Sequence, residues 1–102
     1  MISVSTKEYL GEKGCLSIIL PAYNLGGCIY DNILAVAEEL KEINFEIVPV
    51  DDGSEDNTAA EILRAAEGLP AGVVIPVLLK ENRGKGAALS AGLKASRGSH
   101  IM

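Results

Sequence analysis

Hydrophobic residues are grouped along this chain in short, mostly apolar runs that alternate with longer amphipathic stretches. The runs cover residues 16–20, 45–50 and 73–79, and they are rich in β-branched side chains. Short apolar runs of this kind are typical of strands buried in a sheet. Residues 99–102 are interpreted as the opening of a fourth strand after three strand–helix pairs.

The stretches after the runs carry apolar residues at the spacing of one helix face. These residues are Ile29, Ile33, Val36, Ala37 and Leu40 in the first stretch, Ala59, Ile62, Leu63 and Ala66 in the second, and Ala88, Ala91, Gly92 and Ala95 in the third. Strands that alternate with helices in this order form parallel sheets with right-handed crossovers. We therefore expect an α/β fold, a Rossmann-like β-α-β-α-β-α three-layer sandwich, with Gly92 as a packing contact and Gly98 closing the third helix.

Three prolines constrain the predicted strands, because proline cannot donate a hydrogen bond to a ladder. Pro21 is expected to end the first strand at residue 20. Pro49 favours an edge strand, a bulge or the last residues of the second strand. Pro76 interrupts the third run, which we still interpret as one strand over residues 73–79.

The composition allows one small domain with an aliphatic core. The chain has 102 residues, of which 48% are hydrophobic, and its formal net charge is −5. This charge argues against a general nucleic-acid-binding protein, since such proteins need a basic surface that neutralises phosphates. Binding of one nucleotide stays open, because a few local donors suffice for it.

The two cysteines, Cys15 and Cys28, have none of the spacings typical of zinc sites. We interpret them as thiols in a reducing compartment. Residues 1–14 are polar and lack the apolar region of a signal peptide, and no apolar run reaches the roughly 20 residues that span a bilayer. We expect a flexible lead-in over residues 1–14, one domain over residues 15–102 and a cytoplasmic location.

Two adjacent carboxylates, Asp51 and Asp52, end the second apolar run and are followed by Gly53 and Ser54. Ligands of open α/β sheets bind just beyond the carboxyl ends of the strands. Carboxylates there can accept hydrogen bonds from a base or a ribose, or help to hold a metal. The same residues are also typical of a plain strand-to-helix turn. We favour the floor of a nucleotide pocket and keep the turn as the alternative.

The exits of the first and third strands carry further candidates. Pro21, Tyr23 and Asn24 follow the first strand, where Tyr23 could stack on a base or be a rim aromatic in water. Arg83 and Lys85 lie in a glycine-rich loop before a helix, where they are either donors for a diphosphate or part of a solvated basic loop. The spacing is not that of a P-loop. Because parallel strands end at one sheet edge, we expect the three exits to form one site.

Three motifs in this order resemble the family 2 glycosyltransferases, especially the dolichyl- or polyprenyl-phosphate sugar synthases. Residues 17–24 read Ser-Ile-Ile-Leu-Pro-Ala-Tyr-Asn, residues 50–58 read Val-Asp-Asp-Gly-Ser-Glu-Asp-Asn-Thr, and residues 82–89 read Asn-Arg-Gly-Lys-Gly-Ala-Ala-Leu. The resemblance covers the chain from about Cys15 to its last residue. It implies the nucleotide-binding half of a GT-A type domain, truncated at the fourth strand.

The resemblance also implies roles for the residues at the strand exits. Pro21 and Tyr23 would line the base pocket, with Asn24 beside them. Asp52, helped by Asp51 and Gly53, would recognise the base and the ribose. Arg83 and Lys85 would lie near the diphosphate.

Two departures from the family's pattern limit these implications. Many relatives carry Glu after the Tyr-Asn pair, whereas this chain has Leu25. The metal-binding Asp-x-Asp of the family would follow just past Met102, so no catalytic or metal-binding residue is assigned here. We expect the isolated chain to be inactive and to bind no metal, and a divalent cation, Mg or Mn, to serve the full-length enzyme.

These observations lead to three hypotheses. The chain is the donor-binding part of an inverting glycosyltransferase that transfers a sugar from a UDP- or GDP-sugar to a lipid phosphate or a glycan, in cell-envelope or glycan biosynthesis. In that case the full-length protein would work at the cytoplasmic face of a membrane. Alternatively, the chain is a non-catalytic nucleotide-binding module, or a module that self-associates through its first strand. The family's sheet order places this strand between the second and the fourth, so that truncation at the fourth strand would make residues 16–20 an exposed apolar edge.

Overall fold

The computed structural model describes residues 15–97 and the backbone of residues 100–101. The predicted lead-in over residues 1–14 and the helix-closing Gly98 lie outside the described residues. The elements are β1 (Leu16–Ala22), α1 (Ile29–Glu39), β2 (Phe45–Asp52), α2 (Thr58–Gly68), β3 (Val77–Leu79), α3 (Lys85–Ala95) and β4 (His100–Ile101). This order confirms the predicted alternation and the fourth strand.

The strands form one parallel sheet in the order β3-β2-β1-β4. β1 and β2 pair over their whole common length, so that Ala22 lies opposite Asp51. On the other side of β2, Asp52 lies opposite Leu79, the last residue of β3. The carboxyl ends of three strands therefore meet at one edge, as the sequence predicts.

Both faces of the sheet are covered by helices. Neighbouring residues of a strand point to opposite sides, so each strand contributes side chains to both faces. Ile47 packs in a cluster with α1 and α2, which includes Ile33 and Ile62. Its neighbour Val48 packs in a second cluster with Ala88 of α3. The three layers of the predicted sandwich are thus two helices, the sheet and one helix.

The approach of α3 to the sheet depends on Gly92, which is buried. A Cβ atom at this position would lie 2.5 Å from Cγ2 of Ile19 and 3.1 Å from Cγ2 of Val50. The first of these distances is shorter than carbon atoms tolerate, so a side chain there would push α3 outward. The prediction of a packing contact is confirmed.

The first two strands are longer than predicted, and both continue through a proline. β1 runs through Pro21 to Ala22, because the fixed φ of proline is compatible with extended backbone. β2 runs through Pro49 to Asp52 and is a central strand, so of the three positions that the sequence left open for Pro49 the edge strand is wrong. The prediction that Pro21 ends its strand is likewise wrong.

The third strand is shorter than predicted. β3 covers Val77–Leu79, and Val74 makes an isolated bridge to Ile47. Pro49 and Pro76 lie in the gap between this bridge and the Val50–Val77 pair. Two residues without an N–H group in the same part of the ladder explain why the pairing is interrupted there.

A buried carboxylate connects the end of α3 to the sheet at the opposite edge. Glu46 is 3% exposed and accepts hydrogen bonds from Ser17 Oγ at 2.7 Å, from the Arg97 amide at 2.6 Å and from Arg97 Nε at 3.2 Å. Burial alone would raise the pKa of Glu46, but these hydrogen bonds outweigh it and hold the pKa below its ordinary value. The ionised Glu46 therefore fixes the chain after α3.

None of the helices in the described part of the chain combines the length and hydrophobicity that spanning a membrane requires.

Candidate functional site

A cleft of about 310 Å³ lies at the carboxyl edge of the sheet. It is bounded by the ends of β1 and β2, by the loop between β3 and α3, and by the first turns of α3. Its lining consists of Pro21, Ala22, Tyr23, Asp52, Asn82, Gly84, Lys85 and Ala88. The three exits that the sequence predicts to meet do form one concave site.

Asp52 joins two walls of this cleft. Its side chain is almost fully buried, and its Oδ1 accepts a hydrogen bond from the Arg83 amide at 3.0 Å. Its Oδ2 accepts from Asn82 Nδ2 at 3.2 Å and from the Gly84 amide at 3.1 Å. The β3–α3 loop is therefore held by a carboxylate of β2, and two amides at the start of α3 are bound to Asp52.

Gly53 allows this loop to approach β2. Its φ is +69°, in the left-handed region. A Cβ atom there would overlap the backbone of Glu81 and Asn82. Glycine is therefore required by both the turn and the contact, and Gly53 shapes the cleft from behind Asp52.

Asp51 lies beside the cleft and is not among its lining residues. It is buried, and its Oδ1 accepts a hydrogen bond from the Ser54 amide at 3.0 Å. This bond is typical of the strand-to-helix turn that the sequence offered as the alternative. The structure thus divides the two adjacent carboxylates between the turn and the cleft.

Tyr23 lies on the rim of the cleft and is 45% exposed. Pro21 lies behind it in β1, and the two supply an apolar wall. The next residue, Asn24, is not among the lining residues, and its Oδ1 accepts a hydrogen bond from the Glu55 amide at 3.0 Å. An exposed aromatic ring beside an apolar wall is suited to stacking on a base.

The two cations of the β3–α3 loop have different positions. Lys85 lines the cleft at the beginning of α3. Arg83 pairs with Glu81, with 3.0 Å between Nη2 and Oε1, and both side chains are largely exposed. Exposed ion pairs of this kind contribute little to stability. Lys85 is therefore the better placed of the two for an anionic ligand.

The structure thus brings Pro21, Tyr23, Asp52 and Lys85 of the predicted residues into the cleft. The other four predicted residues, Asn24, Asp51, Gly53 and Arg83, lie around it and shape its walls. Four lining residues were not predicted, namely Ala22, Asn82, Gly84 and Ala88. Each adjoins or belongs to a predicted motif, so sequence position could have found them.

The described residues do not fit a divalent cation. They contain no group of three or more His, Cys, Asp or Glu side chains that could hold a metal. At the cleft, the oxygens of Asp52 already accept three hydrogen bonds.

Comparison with curated proteins finds enzymes that transfer sugars to lipid phosphates. The dolichyl-phosphate beta-glucosyltransferase of Dictyostelium discoideum is 37% identical over 94 residues, which cover 85% of this chain and 29% of the relative. The undecaprenyl-phosphate 4-deoxy-4-formamido-L-arabinose transferase of Pseudomonas aeruginosa strain LESB58 is 36% identical over 89 residues, which cover 85% of this chain and 26% of the relative. The chain thus spans between a quarter and a third of the length of these relatives.

Comparison with solved structures finds GT-A type glycosyltransferases. A mannosyltransferase of Pyrobaculum calidifontis, in complex with GDP-Man and Mn²⁺, has a TM-score of 0.70 and 29% identity, covering 84% of this chain and 25% of that one. The glucosyl-3-phosphoglycerate synthase of Mycobacterium tuberculosis, in complex with phosphoglyceric acid, has a TM-score of 0.68 and 25% identity, covering 92% and 34%. The sheet and helices described above are therefore part of a GT-A fold.

The family model "Glycosyl transferase family 2" matches residues 17–102, most of the chain. The matched segment contains every predicted site residue and every residue that lines the cleft. The chain therefore belongs to glycosyl transferase family 2.

Proposed function

We propose that this chain is the donor-binding part of an inverting glycosyltransferase, which transfers a sugar from a UDP- or GDP-sugar to a lipid phosphate or a glycan. The observation that carries the proposal is the cleft at the carboxyl edge of the sheet. It combines an exposed aromatic ring, a carboxylate and a cation, which suit the base, the ribose and the diphosphate of a nucleotide. Family membership supports this assignment of the cleft.

Asp52 retains some capacity to bind a ligand. A carboxylate offers about four acceptor sites, and three donors of the β3–α3 loop use Asp52. About one site is therefore left for an N–H group of a base or a hydroxyl group of a ribose. Tyr23 would stack on the base, and Lys85 would provide a compact positive charge beside the diphosphate.

The transfer itself belongs to the complete protein. An acceptor oxygen forms a bond to the anomeric carbon of the sugar, and the bond from that carbon to the nucleoside diphosphate breaks. A hydroxyl acceptor gives its proton to a base, whereas a phosphate acceptor attacks already ionised. In the complete protein, a bound Mg²⁺ or Mn²⁺ would neutralise charge on the leaving diphosphate.

The names of the relatives motivate the finer parts of the proposal. Two relatives are named as dolichyl-phosphate and undecaprenyl-phosphate transferases, which favours a lipid phosphate as acceptor. A structural neighbour was solved with GDP-Man and Mn²⁺, which supports a nucleotide-sugar donor and a divalent cation. With a lipid acceptor, the complete protein would work at the cytoplasmic face of a membrane.

Calorimetric titration of the chain with UDP and, separately, with GDP tests the proposal. Lys85→Ala should weaken binding of the preferred nucleotide about tenfold, because the diphosphate loses its nearest cation. Lys94→Ala, on the last turn of the same helix, should leave the affinity unchanged. Equal effects of the two substitutions on nucleotide affinity would contradict the assigned cleft. The same conclusion would follow if substitutions of Tyr23 and of Lys85 both left the affinity unchanged.

The isolated chain should show no transfer of sugar, since it spans about a quarter of the relatives' length. Turnover by the purified chain with a UDP- or GDP-sugar and a polyprenyl phosphate would contradict this. If the isolated chain binds a nucleotide while the complete protein also shows no transfer of sugar, the non-catalytic binding module becomes the better explanation.

Self-association through β1 is a further part of the proposal. The prediction of an exposed edge over residues 16–20 is wrong for Leu16 and Ser17, which pair with β4, and the side chains of residues 16–19 are buried. The described residues place no strand on that side of residues 18–22, so the backbone edge is open there. Such a strand edge can pair with a second copy. Light scattering should then give a mass that rises with concentration, whereas a constant monomer mass would contradict the idea.

A further inference from the structure

The loop that follows β1 is attached by four hydrogen bonds to residues 54–58, which lead into α2 and include its first residue. Three consecutive amides donate to side chains across the gap: the Asn24 amide to Ser54 Oγ at 2.8 Å, the Leu25 amide to Thr58 Oγ1 at 2.8 Å, and the Gly26 amide to Asp56 Oδ2 at 3.1 Å. The fourth bond runs in the opposite direction, from the Glu55 amide to Asn24 Oδ1. We call these contacts between residues 24–26 and 54–58 the interloop latch.

Asn24 contributes to the latch with both its backbone and its side chain. Its φ is +52°, in the left-handed region that asparagine tolerates better than most residues. This conformation lets its amide reach Ser54 while its side-chain oxygen accepts from the Glu55 amide at 3.0 Å. The side chain is therefore engaged in the latch and is not among the groups that line the cleft.

The two segments of the latch are in close contact. A Cβ atom at Gly26 would overlap the side chain of Asn57 and lie 3.1 Å from Oδ2 of Asp56. The hydroxyl of Thr58 donates to Asp56, and this hydrogen bond is the main cause that lowers the pKa of Asp56. The ionised Asp56 is an acceptor for the Gly26 amide, so the latch is complete at neutral pH.

We propose that Asn24 is a positioning residue, which holds Tyr23 at the rim of the cleft through the interloop latch and does not itself contact the nucleotide. Tyr23 immediately precedes Asn24 and is 45% exposed, so packing restrains only part of this residue. Its position then depends on the backbone that the latch fixes. The part of this inference that concerns nucleotide affinity rests on the proposed function, whereas the latch itself does not.

The latch can be tested without any ligand, by amide hydrogen exchange of the chain. Asn24→Gly keeps the positive φ accessible but removes Oδ1, so the Glu55 amide should exchange about fivefold faster. Ser54→Ala should speed exchange of the Asn24 amide by a similar factor. Asn32→Ala, at an exposed position of α1, is the control and should change neither amide. Unchanged exchange at Glu55 in Asn24→Gly would overturn the proposal, whether or not the chain binds nucleotide.

Nucleotide affinity supplies the second readout, with the better bound of UDP and GDP as the probe. Asn24→Ala and Ser54→Ala should each weaken binding about threefold to tenfold. The double variant should be no weaker than the weaker single variant, because both substitutions remove one latch. Asn24→Asp, which keeps an acceptor oxygen and tolerates a positive φ, should restore most of the affinity.

Two results would show that Asn24 instead contacts the ligand. One is a double variant whose loss equals the product of the single losses. The other is weak binding in Asn24→Asp while exchange at the Glu55 amide stays as slow as in the original chain. If the original chain binds neither nucleotide, the proposed function fails and the exchange measurement alone decides the latch.

Discussion

Three consecutive residues at the end of β2 have different structural roles at the cleft. Asp51 accepts a hydrogen bond from the turn, Asp52 accepts three from the β3–α3 loop, and Gly53 lets that loop come close. A buried carboxylate is stable when several donors satisfy it. The Asp-Asp-Gly sequence thus builds the turn and also shapes the cleft, so a turn and a pocket floor are compatible interpretations of the same residues.

Gly53→Ala should destabilise the chain by about 2–3 kcal/mol, since it combines a left-handed φ with overlap against the backbone of residues 81–82. Urea unfolding monitored by circular dichroism gives the free energy of unfolding. Gly27→Ala is the matched control, because a Cβ atom there meets nothing within 4 Å. A loss in Gly53→Ala no larger than in the control would refute the described turn.

At the scale of the elements, α3 determines how the third wall of the cleft sits on the sheet. Its first residue, Lys85, and its second turn, at Ala88, line the cleft, while Gly92 contacts Ile19 and Val50. The second half of the helix therefore packs closely on the sheet at Gly92, and its amino-terminal end lines the cleft. A shift of this helix would move Lys85.

Gly92→Ala should lower the free energy of unfolding by about 1–3 kcal/mol, because the added methyl group meets Ile19 at 2.5 Å. Gly86→Ala, on the same helix, should raise it by up to about 1 kcal/mol, since a Cβ atom there meets nothing within 4 Å and alanine favours helix. The comparison is made by thermal and urea unfolding. The same sign for both substitutions would contradict the packing of α3.

Much of the arrangement of elements could be predicted from the sequence, because it depends on local patterns. The apolar runs over residues 16–20 and 45–50 predicted β1 and β2, which the structure contains. The rule that the carboxyl ends of parallel strands share one edge predicted that Tyr23, Asp52 and Lys85 lie near each other, and all three line the cleft. The partners of Asp52 and Asn24 could not be predicted, since they are about 30 residues away in sequence and depend on the closed fold. The position of Pro49 stayed open among three choices, because the ladder gap that accommodates it is a property of two strands.

The contact between Glu46 and Arg97 predicts how stability depends on pH. The folded-state pKa of Glu46 is below the ordinary value of 4.5, so its contribution is present above pH 4.5 and is lost as the pH falls below that value. Glu46→Gln should therefore be less stable than the original chain at neutral pH, and the difference should shrink below pH 4.5. Urea unfolding at several pH values measures both free energies. A difference that grows on acidification would have the wrong sign for this account.

At the scale of the whole molecule, the proposed function places an anionic ligand on an acidic chain. The net charge of −5 disfavours nonspecific binding of polyanions, whereas the cleft offers Lys85 beside Tyr23 and Asp52. These residues come from three strand exits, so the cleft exists only when β1, β2 and β3 are assembled. The central claim is therefore that the assembled edge binds a nucleoside diphosphate.

The most direct test of this claim is an amide NMR titration of the chain with UDP and with GDP, in the presence and absence of Mg²⁺ or Mn²⁺. We predict saturable shifts concentrated at Tyr23, at Asp52 and at residues 82–88, with little change at Glu46 on the opposite edge. The nucleotide that saturates at lower concentration would name the donor class. Saturable shifts elsewhere, with the amides around the cleft unmoved, would contradict the account.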